Sequence, residues 1–596
     1  MKDPFRNRRY VITAIFSLMA LVFVVRLFYL QVIDKSLTYS SENNSRRYVT
    51  QYPARGLVLD RNGKTLVFNE ASYDLMVTPR MVAPFDTVDF CRILGITPEV
   101  ARDNLKQARA YSRYKPSVFL RQISARTYAV LQEKLHKFVG FYVQPRTSRL
   151  YTRPIAPHLL GYVSEVNDKI IASNSYYKMG DYIGVSGIEK AYEETLRGKK
   201  GVKILLVDVH NVEKGSFQEG AYDTTAVVGR DIICTIDGDL QEYGEYLMQN
   251  MRGSVVAIEP STGEILAMIS MPKYDPNLLV GRERSGNYLA LERSEQKVLL
   301  NRAVNARYSP GSTFKPAQAL VSLEMGGITE SSMFPSNGKA SSPMACSHDH
   351  GSPVSLLNGI EQSCNPYFWH AFRETLEKGG TQQFRKNYND WRDHMLKFGF
   401  GRKLESDIPN ISDGNLPTQA YFDHWFGVNR WRPMTIRSLA IGQGEILVTP
   451  LQQANYMAAL ANRGFYYPPH TVRTDSYSER INVDIASRYI DVVVEGMRRV
   501  NESGTGRGSF SPTVMQGITS CGKTGTVENP PHKDHSLFVG FAPVENPKIA
   551  IAVVVENAGF GATWAAPVAS LMIEKYLAGT VKRPELEARV INFSIY

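Results

Sequence analysis

Ser312 and Lys315 stand three residues apart in Ser309-Pro-Gly-Ser-Thr-Phe-Lys-Pro316. A serine hydroxyl is a weak nucleophile at neutral pH unless a base lies within hydrogen-bond reach. A lysine serves as that base once its ammonium releases a proton. Positions i and i+3 share a helix face, so this spacing lets the two side chains meet. Pro310-Gly311 supplies the punctuation expected before a helix start. The pair alone is a weak signal: ordinary Ser and Lys usage gives roughly two or three such spacings by chance in a chain of this length. A capping serine beside a solvated lysine is the competing reading.

Two later motifs change the balance. Ser363-Cys364-Asn365 offers a hydroxyl and an amide that can relay a proton and hold a substrate carbonyl. Lys523-Thr524-Gly525-Thr526 lies on an expected strand, where a cationic lysine and two hydroxyls suit a carboxylate. Gly525 is read there as letting a ligand approach the strand. A third cluster carries metal chemistry. Cys346, His348 and His350 sit in Cys346-Ser-His-Asp-His350, and Cys364 follows as a distant fourth donor, with Asp349 as an alternative ligand. Thiolates and imidazoles at such spacing suit tetrahedral zinc. A solvated loop with a small buried cysteine, and a Cys346–Cys364 disulfide, stay open as alternatives.

The elements that must position these groups read as follows. Asp231–Ile236 is an expected strand and Leu240–Asn250 a helix. Ser254–Ser270 is a hairpin turning at Pro260-Ser-Thr-Gly263. Val354–Thr375 is expected to be helical, as are Thr449–Asn462, which opens on an N-cap threonine and proline, and Ile485–Val500. Gly522–Val527, Ser536–Ala542 and Ile549–Glu556 are three consecutive antiparallel strands, closed by a helix over Pro567–Leu577. Strands at both ends with helices between imply an α+β domain. Residues 33–230 read as a mixed α/β region with a helical, charged segment near Ile96–Leu135 and a strand over Val202–Val207.

At 596 residues the chain exceeds one core, and length alone suggests about three to five domains. Lys and Arg outnumber Asp and Glu 69 to 58, a net charge of +11. Basic balance can mean nucleic acid, anionic lipid or an acidic polymer. No zinc-finger spacing or RNA-binding signature accompanies it, so nucleic acid is not expected as a partner. Tyr10–Val32 is nearly all apolar behind Lys2, Arg6, Arg8 and Arg9, and is long enough to cross a bilayer. Gln-Val-Ile-Asp-Lys follows it rather than the small residues of a cleavage site, so an uncleaved anchor is expected. The positive-inside rule then puts residues 1–9 in the cytoplasm and the rest outside. The expected organisation is a cytoplasmic tail at 1–9, an anchor at 10–32, a pedestal at 33–230, a catalytic domain at 231–580 and a tail at 581–596. Five scattered cysteines do not suit a disulfide scaffold.

The ordered set Ser-x-x-Lys, Ser-x-Asn and Lys-Thr-Gly resembles that of the penicillin-binding proteins and class A β-lactamases. The likeness covers almost the whole chain. Pro53–Gly63 and Gly187-Ile-Glu-Lys-Ala-Tyr192 resemble the pedestal of the class B enzymes, although Arg149-Leu-Tyr-Thr-Arg-Pro154 departs from the usual pattern there. Ala257–Met268, Ile441-Gly-Gln-Gly444, Gly540-Phe-Ala-Pro543 and Ala565-Ala-Pro567 resemble the transpeptidase domain. Asp534-His535 is similar to the elongation type, with the division type as runner-up.

The resemblance implies a membrane-anchored peptidoglycan D,D-transpeptidase, with possible D,D-carboxypeptidase side activity. Ser312 would be the nucleophile and Lys315 its base. Ser363 would relay a proton with the help of Lys523, and Asn365 would hold the donor amide. Thr524, Gly525 and Thr526 would form the carboxylate site, with the N–H groups of Ser312 and Thr526 as oxyanion hole. No cofactor is implied for acyl transfer. Some elongation-type members resemble the Cys–His cluster here, with a structural zinc. Implied partners are stem peptides of lipid II-derived glycan, β-lactams, the membrane, a polytopic SEDS-type glycosyltransferase and other elongation-complex proteins. A β-lactamase or β-lactam sensor, and a scaffold with a vestigial site, are the competing classes.

Overall fold

The computed structural model describes residues 6–30, 46–207, 213–474 and 479–595. The chain forms two compact units. One comprises residues 1–55, 70–148 and 197–229, the other 56–69, 149–196 and 230–596. The pedestal expected as one block at 33–230 is therefore shared between them. Its sequence signatures explain the division. Arg149 Nε donates to Glu189 at 2.7 Å, a buried pair that joins the Arg-Leu-Tyr motif to Gly-Ile-Glu-Lys. Tyr151 donates to Gly161 O at 2.6 Å. Arg61 binds both Glu259 and Glu264, the acidic residues that flank the hairpin turn. These charges are held among the residues of the larger unit.

That unit is built on a five-stranded antiparallel sheet. Its strands are β1 (Gly253–Ile258), β2 (Ile265–Met271), β3 (Cys521–Val527), β4 (His535–Ala542) and β5 (Ile549–Val555), in the order β2-β1-β5-β4-β3. Side chains alternate between the faces of a strand. Val256, Val539 and Ala552 join one core, with Met457 and Leu460 of the helix Pro450–Ala461. Val255, Phe538 and Val553 join another, with Val568 and Met572 of the helix Ala565–Ala578. Both faces are covered, which is why β1 and β5 read as continuous apolar runs rather than alternating ones. Thr449 caps the first of these helices in a full capping box with Gln452.

Several expectations change. Only Ile232–Ile233 of the Asp231–Ile236 run is strand. The Ile96–Leu135 segment is not one helix: Pro98–Tyr111 and Ala125–Lys134 are separated by the strand Ser117–Ser124, whose Val118, Phe119 and Ile123 are β-favouring. The described part of the expected C-terminal tail, residues 581–595, packs on the larger unit. Pro584–Ile591 is a helix with Val590 fully buried, and Phe593 stacks on Trp564 at 3.7 Å.

The smaller unit has its own aromatic core. Phe90 sits among Phe85, Phe119, Phe138 and Phe141, with ring centroids 4.7–5.6 Å away. The N-terminal helix runs Arg6–Phe28, and its window Tyr10–Phe28 has mean hydropathy 2.5 with nothing covering it. It is long and apolar enough to cross a membrane. The expected anchor end at Val32 and pedestal start at residue 33 lie outside the described residues.

Candidate active site

Gly311–Phe314 forms a 3-10 turn that runs directly into the α-helix Lys315–Glu324, so Ser312 and Lys315 straddle the junction. The turn is seated by Gly311, which has φ +55° and donates to Gly442 O at 2.8 Å. A Cβ there would lie 2.8 Å from Val527 Cγ2 and 2.9 Å from Thr526 O. Gly525 makes the reciprocal approach from the strand: a Cβ would meet Thr313 Cγ2 at 2.8 Å and Leu537 Cβ at 3.2 Å. The glycine of Lys-Thr-Gly thus serves strand-to-turn packing, where the sequence suggested ligand access.

Lys315 is fully buried. Its Nζ donates to Ser363 O at 2.7 Å and to Asn365 Oδ1 at 2.6 Å, and lies 3.2 Å from Ser363 Oγ. Burial pulls its pKa down to about 8. As a neutral amine it would keep two N–H groups for the Ser363 and Asn365 oxygens and free its lone pair for a hydroxyl.

The expected helix over Val354–Thr375 is broken where the second motif falls. Leu356–Glu361 ends, Ser363 takes φ +55°, and Asn365–Glu377 begins with Cys364 as N-cap, its Sγ accepting from Tyr367 N at 3.4 Å. Pro366 in the new first turn suits this restart. The break frees the Ser363 carbonyl from helix bonding and aims it at Lys315.

The third motif lies on β3, an edge strand. Lys523 is fully buried and its Nζ donates to Thr524 O at 3.0 Å. Burial first, and repulsion from Lys315 second, hold its pKa well below the ordinary lysine value. Burial thus works against the charge that the sequence reading gives this lysine. Thr526 Oγ1 accepts from Gly561 N at 3.4 Å. Thr524 Oγ1 lies 2.7 Å from Thr505 Oγ1. Sequence reading missed Thr505. Its only signal was Gly504-Thr-Gly506, a punctuation that marks a turn but no chemistry.

Beside the second motif, Cys346, His350 and Cys364 bring their ligand atoms within 4.8 Å of one another. All five cysteines are free. Cys346 Sγ is 3.3 Å from His350 Nε2 and accepts from Asn365 N at 3.3 Å. A shared hydrogen bond pulls the Cys346 thiol pKa down and pushes that of Cys364 up. His348 lies outside this trio, its ring 5.6 Å from that of His350. Asp349 is engaged elsewhere, accepting from Lys339 N at 2.9 Å. Cys521, the first residue of β3, is buried packing, and His158 is a half-buried ring whose Nε2 lies 2.8 Å from Val298 O.

Fold and site together define a serine acyltransferase of the penicillin-binding kind. The penicillin-binding protein transpeptidase domain model matches residues 253–574, and the penicillin-binding protein dimerisation domain model matches 50–233. The peptidoglycan D,D-transpeptidase MrdA of Acinetobacter baumannii is 31% identical, over 98% of this chain and 89% of its own. The penicillin-binding protein PBP2 of Helicobacter pylori, solved in complex with MreC, aligns with a TM-score of 0.76 at 25% identity, covering 90% of this chain and 99% of that one. PBP2 of Pseudomonas aeruginosa, solved in complex with WCK 5153, gives 0.64 at 28% identity with the same coverage. The chain belongs to the class B penicillin-binding proteins, and within them to the elongation type. Neither the division-type nor the β-lactamase reading is favoured by these relatives.

Proposed function

We propose that Ser312 is the acylated nucleophile of this elongation-type peptidoglycan D,D-transpeptidase, with Lys315 as its base. The observation that carries the reading is the buried Lys315 amine, held by Ser363 and Asn365 and drawn toward neutrality. Ser312 Oγ attacks the penultimate D-Ala carbonyl of a stem peptide while its proton passes to Lys315 Nζ. The N–H groups of Ser312 and Thr526 stabilise the oxyanion. Collapse breaks the D-Ala–D-Ala amide bond, and the leaving amine takes its proton by way of Ser363. An amine from a neighbouring stem peptide then attacks the acyl-enzyme, forms the cross-link and returns the Ser312 hydroxyl. Water in place of that amine would give carboxypeptidase activity.

Thr524 and Thr526 bind the terminal carboxylate. Its arrival favours the ammonium form of Lys523, offsetting the burial that opposes it in the free enzyme. A β-lactam acylates the same Ser312 oxygen. The test is covalent labelling by fluorescent penicillin: Ser312→Ala is expected to abolish it, and retained labelling would overturn the assignment.

The Cys346–His350–Cys364 trio suits a structural zinc, because two thiols and an imidazole already converge and one thiol is disposed to ionise. His348 is the candidate fourth ligand. When bound, zinc would cross-link the 346–350 loop to Ser363-Cys364-Asn365 and take no part in acyl transfer. The apolar N-terminal helix supports a single-pass anchor with residues 1–9 cytoplasmic and the catalytic domain outside. Similar structures solved with MreC and as a peptidoglycan synthase complex support elongation-complex partners; that a SEDS-type glycosyltransferase is one of them is part of the proposal.

A further inference from the structure

Between Asn104 and Gln132 the sequence has no acidic residue and six basic ones: Lys106, Arg109, Arg113, Lys115, Arg121 and Arg126. The fold gathers part of this run around a cleft. The helix Pro98–Tyr111 ends at Ser112, whose hydroxyl accepts from Tyr114 N and Lys115 N and so turns the chain back. Arg80 N donates to Arg113 O at 2.9 Å, which ties the two walls together. The result is a concavity of about 640 Å³ lined by Pro79, Arg80, Arg109, Ala110, Arg113 and Tyr114. The Arg80 guanidinium lies over the Tyr114 ring at 4.8 Å. The three arginines are exposed, and among the described residues none of them forms an ion pair, although acidic residues elsewhere in this unit pair readily, as Asp89 does with Arg92 and Lys134.

Three like charges gathered without a counter-ion repel one another, and an anion relieves that repulsion. Guanidinium forks match carboxylates bidentately. A flat membrane or protein face would meet a raised surface; a cleft of this size holds a small protruding group. The exposed tyrosine adds a ring for an apolar sugar face.

We propose that this cleft binds carboxylate-bearing stem peptides of a peptidoglycan strand, as a second, non-catalytic site that retains the polymer while Ser312 acts. The proposal rests on the transpeptidase reading, because it takes the substrate's own chemistry as the ligand. It assigns the binding to Arg80, Arg109 and Arg113.

The test uses the full-length protein in detergent with Ser312 first acylated by a β-lactam, so that the active site is blocked. The probe is soluble, uncross-linked glycan strands carrying pentapeptides, with the same strands stripped of peptide as control. Wild type is expected to bind the intact strands, to lose affinity as salt is raised, and to bind stripped strands at least about tenfold more weakly. The Arg80→Ala/Arg109→Ala/Arg113→Ala variant is expected to lose about tenfold or more, with its penicillin labelling unchanged as proof of folding. Equal strand binding by variant and wild type, or no binding once Ser312 is acylated, would overturn the proposal. So would anionic phospholipid vesicles or an acidic partner protein that discriminate variant from wild type when the strands do not. Failure of penicillin labelling itself would instead count against the assignment of Ser312.

Discussion

Asn365 links the base of the reaction to the cysteine cluster: its Oδ1 accepts from Lys315 at 2.6 Å while its backbone N–H donates to Cys346 Sγ at 3.3 Å. One residue therefore sets both the position of the amine and the position of the thiol. What happens at Cys346 is passed to Lys315 through the backbone and side chain of Asn365.

The first prediction concerns pH. Acylation needs neutral Lys315, and burial has brought its pKa from 10.5 to about 8. The protonated form dominates below that value and cannot accept the serine proton. The rate of penicillin acylation should therefore rise about tenfold per unit up to about pH 8 and then level off. Stopped-flow labelling between about pH 6 and about pH 9 reads this, and a flat profile would count against Lys315 as the base.

The cluster makes a second prediction. Protein purified with reductant and without chelator should carry about one zinc per chain, and Cys346→Ser should lose it. Metal analysis gives the answer, and wild-type protein purified in this way without stoichiometric zinc would dismiss the site. Removal of bound zinc should also lower the melting temperature, because the 346–350 loop would lose its attachment to Cys364.

Gly525→Ala should destabilise the protein by about 1–3 kcal/mol, since the added methyl has to displace Thr313 or Leu537 across a packed interface. Gly286→Ala is the control. It lies within the helix Arg284–Glu292 with nothing near its Cβ, and should stabilise by about 0.5–1 kcal/mol. Thermal unfolding distinguishes the pair.

Thr505→Val should leave the fold intact while removing the hydroxyl partner of Thr524. Loss of one such bond is worth about 1 kcal/mol, so acylation by a carboxylate-bearing β-lactam should slow roughly fivefold to tenfold. The loss should be smaller for Thr505→Ser, which keeps the oxygen.

Arg149→Met should cost about 3–5 kcal/mol, because it leaves the Glu189 carboxylate buried without its guanidinium. Chemical denaturation measures this directly.

Much of the catalytic domain was legible from sequence because its signals are local. The hairpin announces itself through Pro260-Ser-Thr-Gly263, and the helix at Pro450 through Thr449 and its capping partner Gln452. The break at Ser363 was not legible. Apolar residues recur through Val354–Thr375 and suggested one helix, although Pro366 is a boundary signal, and the tertiary pull of Lys315 on the Ser363 carbonyl gives the interruption a purpose. The complete burial of Lys523 was not legible either, because it is a property of the assembled core rather than of its neighbours in sequence. Thr505 escaped for the same reason: its partner lies 19 positions away on an element of another type. The two-unit division was hidden because Arg149 and Glu189 find each other only after folding.

The tight seating of Gly311 and Gly525 has a consequence for drug resistance. Where the turn and the strand meet with no room for a methyl group, heritable change is closed off: a substitution that hinders an antibiotic there also displaces the turn that carries Ser312. Escape has to come from the rim of the site, at side chains such as Thr505 that touch the motif strand without supporting the floor beneath the nucleophile.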